Sequence, residues 1–99
     1  MLRVTAAAHE PALSLVLAGE LALETVPELE AALAAIPARP TQVEIDCSDL
    51  TFIDSTGVSA LLQAGLHFRQ NGSGVRFGNL RPELREMLDV MGFFEILDS

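Results

Sequence analysis

The stretch VEIDCSDLTFIDSTGV, residues 43–58, contains the change of hydrophobic pattern that decides the fold. Its first five residues alternate between apolar and acidic side chains, which predicts a strand with one buried face. From Ser55 the apolar residues recur at helical spacing to about Gln70, where Asn71-Gly72 predicts the end of a helix. We interpret Ser48–Asp54 as a turn between this strand and this helix.

The remainder of the chain predicts further strands and helices on both sides of this unit. Single Pro and Gly residues mark the places where one periodic segment gives way to the next. The order β-β-α-β-α-β-α-β indicates an α/β domain. Before the unit, we predict two strands at Leu2–Ala7 and Leu13–Ala18 that form a hairpin, and then a helix that is capped by Thr25 and stops at Pro37. After the unit, we predict a strand around Val75 and Phe77 and a helix that begins at Pro82 and is ended by Gly92. The last element, Phe93–Leu97, is either an edge strand or a helical turn.

Length and composition indicate a single folded domain covering residues 1–99. Hydrophobic residues make up 49% of the chain, which is far above the level of disordered sequences. Fourteen acidic residues and six arginines give a net charge of -8, so we expect no nucleic acid and no anionic membrane as main partner. The longest apolar run, Ala31–Ile36, is too short to span a membrane, and Met1–Glu10 does not resemble a signal peptide. We therefore expect a cytoplasmic protein, without direct membrane insertion, that binds another protein.

The sequence offers no arrangement of residues for catalysis or for binding a metal ion or cofactor. Cys47 is the single cysteine and is expected to be a small buried residue on a strand. Neither His9 nor His67 lies in a motif that would place it beside a nucleophilic serine. The turn Asn71-Gly72-Ser73-Gly74 lacks the lysine of a phosphate-binding loop. We expect no catalytic residue, no metal site and no cofactor, and hence a protein that is not an enzyme.

The motif Asp54-Ser55-Thr56-Gly57 places two hydroxyl groups at the start of the predicted helix. Ser55 or Thr56 can cap the free backbone N–H groups of the first turn, and Gly57 allows the chain to approach another surface closely. One interpretation is capping alone. The other is that Ser55 accepts a phosphate, because a phosphate at this position meets the positive end of the helix dipole.

Residues 43–58 resemble the central segment of STAS domains, and specifically of the stand-alone anti-sigma factor antagonists. Three other stretches, Leu17–Leu21, Gly74–Leu80 and Val90–Phe93, are similar to motifs of the same family at matching intervals. The resemblance implies a STAS-like α/β fold, with a mixed central sheet of about 4–5 strands and helices packed mainly on one face.

The resemblance also implies a partner-switching role. In that family the unphosphorylated antagonist binds an anti-sigma factor, itself a serine kinase, and so frees the sigma factor. Phosphorylation of the serine after the motif aspartate ends this binding, and that serine is Ser55 here. The resemblance implies that the partner kinase supplies ATP and Mg²⁺ and that a serine phosphatase removes the phosphate. Asp54 would shape the loop and contact the partner, with Thr56 as a cap or minor acceptor.

The turn Gly19–Ala22 departs from the family pattern, which commonly has an aspartate where this chain has Ala22. The departure removes a carboxylate expected close to the phosphorylation loop. It favours an alternative role in the same fold, as a STAS accessory subunit of a membrane transporter or a scaffold component of a signalling complex. The intact hydroxyls of Ser55 and Thr56 favour the antagonist instead.

The predicted partner-binding surface begins at the helix N-terminus and follows one side of the helix. With about 3.6 residues per turn, a polar stripe separates from the side of Val58 and Leu61 that should face the core. Leu66, expected to be exposed in this stripe, would be an apolar anchor for the partner. The predicted partner-binding residues are Asp54, Ser55, Thr56, Gly57, Ser59, Gln63 and Leu66.

Overall fold

The structure, a computed structural model, describes residues 1–9, 12–36 and 40–98, without the side chains of residues 8 and 9. The predicted stop of the first helix at Pro37 lies outside these residues. The elements follow in the order β1 (Leu2–His9), β2 (Ala12–Leu21), α1 (Val26–Ala34), β3 (Gln42–Ile53), α2 (Ser55–Gln70), β4 (Gly74–Gly78), α3 (Pro82–Val90) and α4 (Phe93–Leu97).

Within the described residues, four strands form one mixed sheet in the order β1-β2-β3-β4. β1 pairs antiparallel with β2, whereas β2, β3 and β4 run parallel to one another. Leu13 lies beside Val43, and Val43 beside Val75, so the alternate apolar residues of these strands share one face. On the other face the neighbours Val16 and Asp46 are only partly buried. The predicted α/β fold with a mixed sheet is confirmed.

The helices pack against the apolar face of the sheet and form a single core with it. Each helix contributes at least one side chain that is almost fully buried, among them Leu29 of α1, Leu61 of α2 and Leu88 of α3. Burying a side chain of this size contributes roughly 1.5–3 kcal/mol, which exceeds the helix propensity of any single residue. Burial of one face therefore holds these short helices in place.

The last element is a helix, where the predicted order ended in a strand. Gly92 has a φ of 73°, so the chain turns in the left-handed region between α3 and α4. Phe93 and Leu97 then lie four residues apart on the buried side of α4, and the Phe93 ring meets the edge of Phe77 at 5.2 Å between centroids. This helical spacing buries the apolar tail without adding a strand beside β4.

β3 continues to Ile53, so the interpretation of Ser48–Asp54 as a turn was wrong. Parallel pairing with β2 extends to the partners Leu21 and Ile53, with register shifts between Val16 and Ala18 and between Gly19 and Glu20. The shifts change which residues face the core, because Cys47, Leu50 and Ile53 are buried at intervals of three rather than two. A strand with this spacing lacks the alternation by which strands are detected in a sequence.

Candidate functional site

Asp54 is the N-cap of α2 and fixes the start of the helix. Its backbone is extended, with φ -103° and ψ -179°, and its Oδ1 accepts a hydrogen bond of 2.7 Å from the backbone N–H of Gly57. Its carbonyl accepts the first helical bond, from Val58 N–H at 2.9 Å. The expectation that Ser55 or Thr56 caps the helix was therefore wrong, because α2 already begins at Ser55, earlier than a cap at either residue would allow.

The Asp54 carboxylate also joins α2 to the turn that follows β2. Its Oδ2 accepts a hydrogen bond of 3.2 Å from the backbone N–H of Leu23, while the Asp54 N–H donates to the Leu21 carbonyl at 3.3 Å. Both oxygens of the carboxylate are thus used inside the chain. The role predicted for Asp54 in shaping the loop has a definite geometric basis in these contacts.

Gly57 allows the first turn of α2 to rest directly on the backbone of β2. A Cβ atom at this position would overlap the carbonyl oxygen of Leu21 and lie 2.9 Å from Cγ1 of Ile53. Gly57 is buried, so the close approach expected here is internal to the domain. The prediction that Gly57 contacts a partner was therefore wrong, because a partner cannot reach this buried residue.

Ser55 is the first residue of α2 and is exposed, as is Thr56 beside it. The Ser55 hydroxyl has no hydrogen-bond partner within residues 1–9, 12–36 and 40–98. The backbone N–H groups of Ser55 and Thr56 precede the first helical bond, so they point out of the helix end. An anionic group on the Ser55 oxygen would therefore lie close to two available donors and the positive end of the dipole.

The polar stripe is present, but Leu66 does not belong to its exposed part. Ser59 and Gln63 are exposed, as predicted, whereas Leu66 is half-buried and packs against the core. The prediction of Leu66 as an exposed apolar anchor was wrong.

An open groove of about 490 Å³ lies between α1 and α2 beside this stripe. Leu29, Leu33 and Ala64 supply apolar surface, while Glu30 and His67 add polar groups. The groove brings together three of the predicted partner-binding residues. Those three are Thr56, Ser59 and Gln63.

The turn after β2 is held by Thr25 and contains no carboxylate at position 22. Ala22 is buried, with 7% of its surface exposed. Its N–H donates to Thr25 Oγ1 at 2.9 Å, and the same hydroxyl donates to the Glu20 carbonyl at 2.8 Å. Thr25 is the N-cap residue of α1, as predicted, but its side chain bonds to this turn instead of to the helix.

Two exposed apolar residues beside Asp54 were missed from the sequence. Leu23 and Phe52 keep 65% and 50% of their surfaces exposed, although both are large. Leu23 is bonded through its backbone to Asp54, and Phe52 precedes Asp54 by two residues. A large apolar residue in a short turn, outside any periodic stripe, is the signal that would have identified Leu23.

The described residues contain no group of three or more His, Cys, Asp or Glu side chains arranged to hold a metal ion. Cys47 is fully buried, and this burial, with a smaller effect of the Asp46 charge, raises the pKa of its thiol to about 12. The thiol is therefore neutral and inert at ordinary pH. In the same part of the chain, every helix is too short or too polar to cross a membrane.

Comparison with known proteins identifies the family of this chain. The sequence model of the family described as "Mlab, STAS domain" matches residues 4–98. The anti-sigma-B factor antagonist of Bacillus subtilis (strain 168) is 24% identical over 82 residues, which make up 83% of this chain and 75% of that protein.

Solved structures share the fold. An antisigma-factor antagonist STAS domain from Rhodobacter sphaeroides has 29% identity and a TM-score of 0.66, over 79% of this chain and 86% of its own. An anti-sigma factor antagonist from Mycobacterium paratuberculosis has 24% identity and a TM-score of 0.79, over 97% and 82%. A sulfate transporter family protein from Wolinella succinogenes has 20% identity and a TM-score of 0.79, over 92% and 75%. Since the family match spans nearly the whole chain and the fold agrees with it, the chain belongs to the STAS domain family.

Proposed function

We propose that this chain is an anti-sigma factor antagonist that is switched by phosphorylation of Ser55. In its unmodified form it binds an anti-sigma factor and frees the sigma factor. The observation that carries the proposal is the exposed Ser55 hydroxyl at the first position of α2, directly after the Asp54 cap. This hydroxyl has no hydrogen-bond partner among the residues that the structure describes. The similarity to the Bacillus subtilis antagonist supports it.

The chain acts in this scheme as substrate and switch, in the cytoplasm, without catalytic residues of its own. The anti-sigma factor is the serine kinase that holds ATP and Mg²⁺, and the Ser55 oxygen displaces ADP from the γ-phosphorus while its proton passes to a base of the kinase. A serine phosphatase returns the hydroxyl by hydrolysis. Asp54, Thr56, Ser59 and Gln63 surround the contact.

Phosphorylation would act at the interface more than on the fold. A phosphate adds about -1.5 to -2 charges to a protein of net charge -8. The N–H groups of Ser55 and Thr56 can hold its oxygens, so the helix end tolerates the charge. A partner that closes over Ser55 must instead desolvate a dianion, which costs a few kcal/mol and weakens binding on the order of a hundredfold.

The experiment is calorimetric titration of the anti-sigma factor with unmodified and phosphorylated protein and with Ser55→Ala, alongside thermal melts. Ser55→Ala should bind the anti-sigma factor whether or not it has been incubated with the kinase and ATP. The phosphorylated protein should bind poorly, although its melting temperature should be nearly that of the unmodified protein. Ser48→Ala, which changes an exposed serine of β3 outside the predicted partner-binding residues, is the matched control and should still be phosphorylated on Ser55. Equal affinity of the unmodified and phosphorylated forms, or phosphate mapped only to Thr56, would reject the switch.

Ala22 favours a second candidate, a STAS accessory subunit of a membrane transporter or a scaffold in a signalling complex. The buried methyl group leaves the turn beside Asp54 without the carboxylate that antagonists commonly have there. This role keeps the binding surface and omits the kinase. If the missing carboxylate limits phosphorylation, Ala22→Asp should accelerate it, and an unchanged rate would show that the turn does not take part.

A further inference from the structure

Two exposed apolar side chains lie beside the corner formed by Asp54 and Ser55. Leu23 is 65% exposed and Phe52 is 50% exposed. We propose that these two side chains are the apolar anchors of the interface that Ser55 controls, and that they fill an apolar pocket with a basic border on the anti-sigma factor. This inference rests on the function proposed above and names the contact by which it operates.

Both side chains are carried by backbone that is held in place. The Leu23 N–H donates to Asp54 Oδ2, so the tip of the turn cannot move without breaking that bond. Phe52 belongs to β3, where it is the register partner of Glu20, and the neighbouring Thr51 hydroxyl donates to the Gly19 carbonyl at 3.0 Å. Anchors on fixed backbone lose little conformational freedom when a partner covers them.

The charges around the anchors define the partner. Every charged side chain in Gly19–Glu24 and in Asp49–Ser55 is a carboxylate. Glu20 is paired with the N-terminal ammonium group of Met1 at 3.1 Å. Among the described residues, the border without an ion pair therefore consists of Glu24 and Asp49 together with Asp54. An acidic border around an apolar centre is complementary to an apolar pocket lined at its rim by Lys or Arg. The same border disfavours an anionic membrane, and it disfavours a second copy of this chain, whose net charge is also -8.

The position of the anchors couples them to Ser55. Both connect to Asp54, one through a hydrogen bond and the other through the chain, and Ser55 follows Asp54 directly. In this proposal a partner seated on both anchors also covers the Ser55 hydroxyl. A phosphate there must lose its water before the anchors can enter their pocket, and this explains how one modification can weaken the whole contact.

The test is titration of the anti-sigma factor with Leu23→Ser and Phe52→Ser. Each should weaken binding by at least about tenfold without lowering the melting temperature, as expected for truncated interface anchors. Val90→Ser is the matched control, because Val90 is 81% exposed on α3 and should leave binding unchanged. Binding should also weaken with added salt, since the contact pairs acidic with basic groups.

The outcomes separate this inference from the proposed function. If phosphorylation abolishes binding but both serine variants bind as tightly as the unmodified protein, the inference fails and the switch stands. If unmodified and phosphorylated protein bind equally, the switch fails whatever the variants do. Sedimentation with phosphatidylglycerol vesicles that is lost in Phe52→Ser would overturn the inference in favour of a membrane contact.

Discussion

Gly57→Ala tests whether the start of α2 rests on the backbone of β2. The new methyl group would overlap the Leu21 carbonyl oxygen and approach Cγ1 of Ile53 to 2.9 Å. Leu21 and Ile53 are the last register partners in the parallel pairing of β2 and β3, so neither backbone can move aside without disturbing the end of this pairing. The helix must shift instead, and Asp54 and Ser55 shift with it.

Two opposing effects set the size of the change. Alanine is favoured over glycine in a helix by about 1 kcal/mol, whereas overpacking a rigid site costs typically 1–3 kcal/mol, at the upper end against backbone. We therefore expect Gly57→Ala to lower the free energy of unfolding by about 1–2 kcal/mol, or the melting temperature by about 5–15 °C. The same shift should weaken partner binding.

Gly65→Ala is the matched control in the same helix. It gains the same propensity, but its methyl group meets side-chain atoms, Leu97 Cδ1 at 2.8 Å and Phe77 Cζ at 3.3 Å, which can rotate away. Urea unfolding followed by circular dichroism should show Gly65→Ala closer to the unmodified protein than Gly57→Ala. A Gly57→Ala variant that is as stable as the unmodified protein, or more stable, would refute the proposed backbone contact.

Three further predictions concern single groups. Asp54→Ala should lower the free energy of unfolding by about 1–3 kcal/mol, because it removes the hydrogen bonds that the Asp54 carboxylate accepts from the N–H groups of Gly57 and Leu23. Asp54→Asn can still cap the helix, so urea unfolding should show a smaller loss of stability for this variant. Cys47, with its thiol pKa raised to about 12, should resist iodoacetamide at about pH 8 until urea unfolds the protein, and rapid labelling of folded protein would contradict its burial. A hydrogen bond from the backbone N–H of Ser48, two residues further along β3, lowers the pKa of Asp46. The stabilising contribution of this carboxylate is therefore full above an unfolded-state pKa of about 3.9 and is lost as pH falls through the lower folded value. Asp46→Asn should therefore lose less stability than the unmodified protein between about pH 5 and about pH 2, as measured by thermal melts.

Local periodicity predicts the parts of the fold that obey one pattern from end to end. The alternation at Val43–Cys47 is a property of five neighbouring residues, so the sequence identifies β3 and its buried face. Its extension to Ile53 depends on register shifts against β2, and no residue within β3 encodes the position of its neighbour. The tail Phe93–Leu97 suits a strand or a helix equally well by composition, and packing against Phe77 decides between them.

The site was predictable in its position but not in its contacts. A polar motif between an apolar strand and an apolar helix places Asp54 and Ser55 at a helix N-terminus. Which of the polar residues caps the helix depends on the residue at which α2 begins, and the motif itself does not fix that residue. The second bond of the Asp54 carboxylate, to the Leu23 N–H, follows only from the folded turn. Leu66 was misassigned because a helical wheel gives the direction of a side chain, while its burial depends on how deeply the neighbouring elements cover the helix.

The shared Asp54 carboxylate makes one amide proton a remote sensor of the switch. Its two oxygens bind N–H groups of Gly57, three residues away, and of Leu23, which is 31 residues away in the chain. Because one rigid carboxylate makes both bonds, a displacement of it changes the geometry of both. In a nuclear magnetic resonance spectrum, modification of Ser55 should therefore register at the Leu23 amide as well as in α2, so the turn after β2 reports the state of a residue on a different element.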